Sequence, residues 1–289
     1  MISVWLAAMR PRTWPASLVP VFVGLATATA AGGVHLLIGA LTIVAALALQ
    51  IATNLANDYF DAQSGVDRAV RLGPMRATQS GMLAPKVVRL AAFVALGVAA
   101  AAGVPLIVRG GIGVATIGVL SMLAALAYSA GPRPLASRGL GELLAFSFFG
   151  VVAVSGTFYL QTHAVTTTVL LAGAAVGCFA AAIMLVNNLR DIPTDAPAGK
   201  RTLAVRIGEE ATRRLYGVLL MGAMALTILV AWSAGSVWPA LALAIAPLVR
   251  GEAAHVEQRR GAELNLSLAG TARLELLFGA LLALGLVLA

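Results

Sequence analysis

Charge is scarce in this sequence. Only 11% of its 289 residues are Asp, Glu, Lys or Arg, where soluble domains carry about a quarter. Beside a hydrophobic share of 60%, that scarcity excludes an ordinary soluble domain and predicts an all-α, polytopic membrane protein. Cysteine is nearly absent. The single Cys178 lies within an apolar run, so one chain can form neither a disulfide nor a thiolate metal site. Histidine is as sparse: His35, His163 and His255 fall in three separate segments, which argues against a histidine metal centre. Lysine is almost missing, with two Lys against eighteen Arg. With alanine abundant, that skew reads as GC-rich coding and carries no functional weight.

What is present is apolar sequence in long runs. A helix needs about 20 apolar residues to span a bilayer. Nine stretches are read as spans: 15–31, 34–53, 87–108, 111–129, 141–160, 166–188, 215–233, 236–249 and 271–289. The eighth is short and holds Pro239 and Pro247. Arg10 and Arg12, the apolar run after them and Ala26-Thr27-Ala28 imitate a signal peptide, but the many later spans need no such signal. Nine spans place nineteen of the twenty Lys and Arg residues on one side, leaving only Arg109 on the other. The positive-inside rule then predicts a cytoplasmic N-terminus and an external C-terminus. The net charge of +8 becomes a property of the cytoplasmic face, not the footprint of a nucleic-acid partner.

The aspartates are few and gathered. Asp58, Asp61 and Asp67 follow the second span, in NLANDYFDAQSGVD (54–67), and Asp191 and Asp195 follow the sixth, in NNLRDIPTD (187–195). Asn54, Asp58 and Asp61 are spaced to share a helix face, as are Asn187, Asp191 and Asp195. Pro193 is expected to end the second of these helices before Asp195. The same Asn-x-x-x-Asp pattern four spans apart suggests two four-helix units of similar plan plus a ninth helix, all in one transmembrane domain over 1–289. Capping and turn chemistry accounts for one or two aspartates in a loop. It does not account for all five in two corresponding places. Clustered carboxylates repel unless a cation sits among them, and oxygen ligands suit a hard cation, Mg²⁺ above all. Both clusters adjoin basic residues, five within 68–89 and six within 190–214. Carboxylates and arginines together suit Mg²⁺ bound to a diphosphate; a bare metal needs fewer arginines and a bare anion fewer aspartates. Carboxylates of ion paths lie near the bilayer midplane. These lie at one face, which ranks cation transport below diphosphate chemistry.

The two motifs resemble the Asp-rich motifs of the UbiA superfamily of intramembrane prenyltransferases. MRPRTWPASLVPVFVG (9–24), GPMRATQSG (73–81), AYSAGPRPL (127–135) and GLGELLAFSFFG (139–150) add to the resemblance, which runs to about Tyr216. Within the superfamily the chain is most similar to the 1,4-dihydroxy-2-naphthoate branch. Ubiquinone-type members carry a third aspartate seven residues after the first; here that position is Gly65, and Asp67 follows in Gly-x-Asp form. Many members also have Tyr-x-x-x-Lys after the fourth span, where this chain has Tyr128, Pro132 and then Arg133. Arg133 differs from Lys in reach and has no proton to lose.

The resemblance implies a helical bundle around a lipid-accessible chamber in the bacterial plasma membrane, with its site at the cytoplasmic face. It implies transfer of a polyprenyl group from its diphosphate to 1,4-dihydroxy-2-naphthoate, with loss of CO₂, giving demethylmenaquinone. Another acceptor such as 4-hydroxybenzoate, or a phytyl donor, remains open. Asp58, Asp61, Asp191 and Asp195 are the expected ligands of two Mg²⁺ ions, with Asn54 and Asp67 in support. Arg68, Arg76, Gln79, Asn187, Asn188, Lys200 and Arg201 are the expected substrate-binding residues. Arg71 and Arg190 are either further diphosphate ligands or salt-bridge partners of the aspartates. Tyr128 and Arg133 stand on the acceptor side or beside the developing cation. Arg10 is expected to anchor the chain at the membrane, or to meet the acceptor's carboxylate. The form of soluble polyprenyl synthases is excluded, since the chain contains no Asp-Asp pair.

Overall fold

The structure is a computed structural model that describes residues 2–64, 77–78, 80–131 and 134–289. Every regular element among them is helical. The α-helices are α1 (Ile2–Met9), α2 (Trp14–Ala30), α3 (Leu36–Ser64), α4 (Pro85–Ala127), α5 (Gly141–Leu144), α6 (Ala153–Thr162), α7 (Thr167–Asp195), α8 (Leu203–Ile207), α9 (Glu209–Ala234), α10 (Ala246–Gln258) and α11 (Leu264–Leu288). A π-helical stretch, Ala145–Val152, joins α5 to α6. Among the described residues, seven helical runs are long and apolar enough to cross a membrane. The molecule is a polytopic, all-α membrane protein.

The expected spans and these runs differ in instructive places. Spans 87–108 and 111–129 share the 43-residue α4. Straight, it would reach about 65 Å, twice a hydrocarbon core of about 30 Å. It bends at Gly111, whose φ of 71° and ψ of −161° belong to a region reserved for glycine. Beside the bend, the Arg109 guanidinium donates to the Leu160 carbonyl and, at 3.0 Å, to that of Gln161. These are among the open carbonyls that end α6. The Gln161 side chain accepts from the His35 amide at 2.8 Å, which ties the start of α3 to the same end of the bundle.

Span 236–249 is not one α-helix. A 3₁₀ segment, Trp238–Ile245, gives way to α10, and each begins with a proline in its first turn, Pro239 and Pro247. Neither ring supplies an N–H to a preceding turn, so the chain restarts twice. Pro193, by contrast, does not end α7, which continues to Asp195. In the last turn a proline removes a single ladder bond. The Thr166 hydroxyl caps the other end of α7, accepting from the Val169 amide at 3.2 Å.

The larger core forms around α7, with α2, α6, α9, α10 and α11 contributing, and the Phe179 and Phe278 rings meet in it at 4.7 Å. A smaller core joins α1, α3 and the start of α4 through Ala8, Leu55, Val88 and Ala92. In lipid the apolar effect does not drive helix association, and close packing at small residues takes its place. Gly150 in the π-helix lies so near α7 that a Cβ there would sit 2.3 Å from the Gly177 Cα.

Candidate functional site

A chamber of about 1490 Å³ opens between α2, α3, α4, the α5–α6 run and α7. Its walls change character along its length. Ala45, Leu106, Val114, Ile117, Phe148, Phe149 and Val152 line an apolar part, while Asn54, Asn57, Asp61, Asn187, Asn188, Asp191 and Asp195 line a polar part. The polar residues occupy the C-terminal ends of α3 and α7. Residues three, four or seven apart stack on one helix face, so each motif turns several oxygens toward the facing helix.

On α3 the phase of that face departs from expectation. At about 100° per residue, Asn57 and Asp61 fall to one side of Asn54 and Asp58 to the other. The chamber takes Asn54, Asn57 and Asp61. Asp58, one of the expected ligands, is 2% exposed and absent from the lining. Its Oδ2 accepts from the Ala77 amide at 3.1 Å and its Oδ1 from the Thr78 amide at 3.3 Å. Asn57 also stands four residues before Asp61 and was passed over because Asn54 was paired with Asp58; its Oδ1 accepts from the Ser129 hydroxyl at 2.5 Å. The Asn54 amide donates to the Met9 carbonyl at 3.0 Å and the Thr13 hydroxyl at 2.9 Å. That bond pair fixes the turn before α2 and brings Arg10 and Thr13 into the lining.

On α7 Arg190 is 2% exposed and spans four acceptor atoms. Its Nε and Nη2 grip Asp191 at 2.8 and 2.7 Å, Nη2 reaches Asn187 Oδ1 at 2.9 Å, and Nη1 reaches Asn265 Oδ1 on α11 at 2.7 Å. Arg190 is therefore a salt-bridge partner of a motif aspartate, one of the two roles open to it. The Lys200 ammonium lies 3.1 Å from Asp195. Asn188 donates to Glu142 Oε1 at 2.8 Å.

Lys200 and Arg201 both line the chamber, and Arg138 and Arg206 join them. The latter two carried no motif signal beyond their charge. The Arg206 Nε donates to the Arg201 carbonyl at 3.0 Å, and the Arg201 amide to the Ser137 carbonyl at 3.1 Å, so two basic loops meet at the mouth. The Tyr128 hydroxyl donates to the Met184 sulfur at 3.1 Å, where the polar and apolar parts adjoin. Burial, then the carboxylates of Glu142, Asp61 and Asp195, push its phenol above the ordinary range, so Tyr128 stays protonated. Asp67, Arg68, Arg71, Arg76, Gln79 and Arg133 lie outside the described residues.

Among the described residues no three of His, Cys, Asp and Glu come close enough to hold a metal ion. The donors are nevertheless oxygens from two facing helices, one or two carboxylates from each. That composition matches the way Mg²⁺ is held, by few carboxylates completed by phosphate oxygens.

Residues 17–277 match the model of the UbiA prenyltransferase family. A 1,4-dihydroxy-2-naphthoate octaprenyltransferase of Escherichia coli is 36% identical over 261 residues, covering 88% of this chain and 85% of that protein. One of the same description from Mycobacterium tuberculosis is 38% identical over 260 residues, covering 89% and 87%. Among solved structures, a UbiA homolog from Archaeoglobus fulgidus bound to GPP and Mg²⁺ superposes with a TM-score of 0.65 at 18% identity, covering 99% of this chain and 100% of that one. An apo UbiA homolog from Aeropyrum pernix gives 0.69 at 17% identity, covering 92% and 96%.

Proposed function

The chain belongs to the UbiA prenyltransferase family, and from that premise we propose that it prenylates 1,4-dihydroxy-2-naphthoate in menaquinone biosynthesis. It takes a polyprenyl group from an allylic diphosphate and releases diphosphate, CO₂ and a proton, giving the prenylated naphthalenediol, which is the reduced form of demethylmenaquinone. The observation that carries the reading is the two-part chamber, apolar where an isoprenoid tail lies and rich in carboxylates and arginines where a diphosphate lies. The description shared by relatives at 36% and 38% identity supports the acceptor.

Asp61, Asp191 and Asp195 hold two Mg²⁺ ions with the diphosphate, and Asn54, Asn57 and Asn188 stand beside them. When bound, Mg²⁺ neutralises the leaving diphosphate and assists C–O cleavage. Lys200, Arg201, Arg138 and Arg206 bind the diphosphate oxygens, and Arg68 and Arg76 extend the set. The Lys200–Asp195 pair balances charge at the mouth, and with Mg²⁺ and diphosphate bound Lys200 would be within the set that neutralises the phosphate. Asp58 holds the turn at residues 77–78 rather than an ion. Phe148 and Phe149 face the chamber, and their ring faces favour the allylic cation as it forms. Tyr128, held neutral, adds a hydroxyl dipole and no charge. The acceptor enters from the basic mouth; the skew of arginines and lysines toward one side supports a cytoplasmic mouth and N-terminus.

Purified protein in nanodiscs, given one polyprenyl diphosphate and several aromatic acids, tests the reading. Prenylated naphthalenediol with matching CO₂ release is the expected outcome. Product from 4-hydroxybenzoate alone would sink the naphthoate acceptor.

A further inference from the structure

We propose that Glu142 and Arg190 are positioning residues that give the neighbouring Asn188 and Asn187 opposite polarity. Asn188 then presents its carbonyl oxygen to the chamber, and Asn187 its amide N–H. The inference rests on the Mg²⁺–diphosphate reading of the chamber.

An asparagine amide ends in one acceptor and one two-proton donor. Which end faces a site is fixed by what binds the other. Asn188 gives its Nδ2 to Glu142 Oε1 at 2.8 Å, with the two residues 7% and 5% exposed. Asn187 gives its Oδ1 to Arg190 Nη2 at 2.9 Å. A guanidinium has no acceptor and cannot serve the other end of the amide. Both asparagines line the chamber. Asn188 thus supplies an oxygen, which suits a hard cation. Asn187 supplies a donor, which suits a phosphate oxygen.

Besides its charge beside Tyr128, the direct partner of the Glu142 side chain is Asn188. Glu142 sits in the first turn of α5 within an apolar run, and its Oε2 is buried without a hydrogen-bond partner among the described residues. A carboxyl so placed weakens the fold, and its bond to another side chain goes to a chamber residue.

The test reads the Mg²⁺ concentration needed for thermal stabilisation of detergent-purified protein with an unreactive prenyl thiodiphosphate, alongside turnover. Glu142→Leu removes the acceptor. It should raise that concentration about 10–100-fold, the usual effect of losing a group that orients a metal ligand. Glu142→Gln keeps an oxygen for Asn188 and should stay close to wild type. Asn188→Asp alone sets two carboxyl groups against each other and should bind Mg²⁺ poorly. Combined with Glu142→Gln, whose amide can donate to the new carboxylate, it should recover. The inference is overturned if Glu142→Leu matches wild type, or if the double variant is no better than Asn188→Asp alone; the second outcome holds even where Glu142→Leu fails to fold. If wild-type protein itself shows no Mg²⁺-dependent stabilisation by the analogue, the diphosphate reading falls, and this inference with it.

Discussion

Replacing Arg190 by Met removes a guanidinium that is 2% exposed and leaves its packing volume largely filled. Four bonds go: two to Asp191, one to Asn187 and one to Asn265. Breaking a buried ion pair by deleting one partner costs about 3–5 kcal/mol, because the surviving charge stays buried and unmatched. Asp191 is 21% exposed, so chamber water relieves part of that, and the expected loss is about 3 kcal/mol. Lys200→Met is the natural comparison. The Lys200–Asp195 pair is 3.1 Å apart, but its ammonium is 26% exposed, so its loss should cost about 1 kcal/mol or less. Equilibrium unfolding of purified protein in mixed micelles titrated with SDS measures both. The double variant Arg190→Met/Asp191→Asn removes the stranded charge and should regain about 1 kcal/mol or more. Equal destabilisation by Arg190→Met and Lys200→Met, or no recovery in the double variant, would refute the view that Arg190 is the buried counter-charge holding the second motif.

Two further outcomes follow from the chamber and its walls. Asp61→Asn and Asp191→Asn should each lower Mg²⁺-dependent prenyl transfer by about 10²–10³, as loss of a principal charge-stabilising group does, while Asp58→Asn should act mainly through stability. Steady-state assays with melting curves separate the two effects, and full turnover in both chamber variants would defeat the metal assignment. Gly150→Ala places a methyl 2.3 Å from the Gly177 Cα, a backbone contact that no rotamer change relieves. A loss of about 1–3 kcal/mol in the same unfolding assay is expected.

The motifs on α3 and α7 were legible because hydropathy ends sharply there and the aspartates occur nowhere else. The arrangement within them was less so. Asp58 and Asn57 lie on either side of the same helical face, and the Ala77–Thr78 turn, distant in sequence, takes the Asp58 carboxylate away from the chamber. The break in α4 was legible as the boundary between spans 87–108 and 111–129, but its seat at Gly111 was not, because glycine is common in this chain, with 30 in all, and only a backbone angle tells one from another. The restarts at Pro239 and Pro247 were signalled by the prolines themselves, whereas Pro193 gave the same signal in a last turn that tolerates it. Glu142 was visible as a lone carboxylate near the end of a span; its partner on another helix was not. Arg138 and Arg206 owe their place to two loops meeting, and no local pattern announces that.

The π-helix at Ala145–Val152 has a bearing on how such chains can vary. A π-helix closes each hydrogen bond over one residue more than an α-helix. This one lies between Glu142, which reaches Asn188, and the Leu160–Gln161 carbonyls, which Arg109 holds. Both ends are thereby clamped to other helices. Deleting one residue between them would turn one end against the other by about 100°, pulling either Glu142 or the 160–161 carbonyls out of place. Side-chain identity along this wall is open to exchange wherever volume permits, but the number of residues is not. Insertions and deletions are barred along this wall as firmly as a larger side chain is at Gly150.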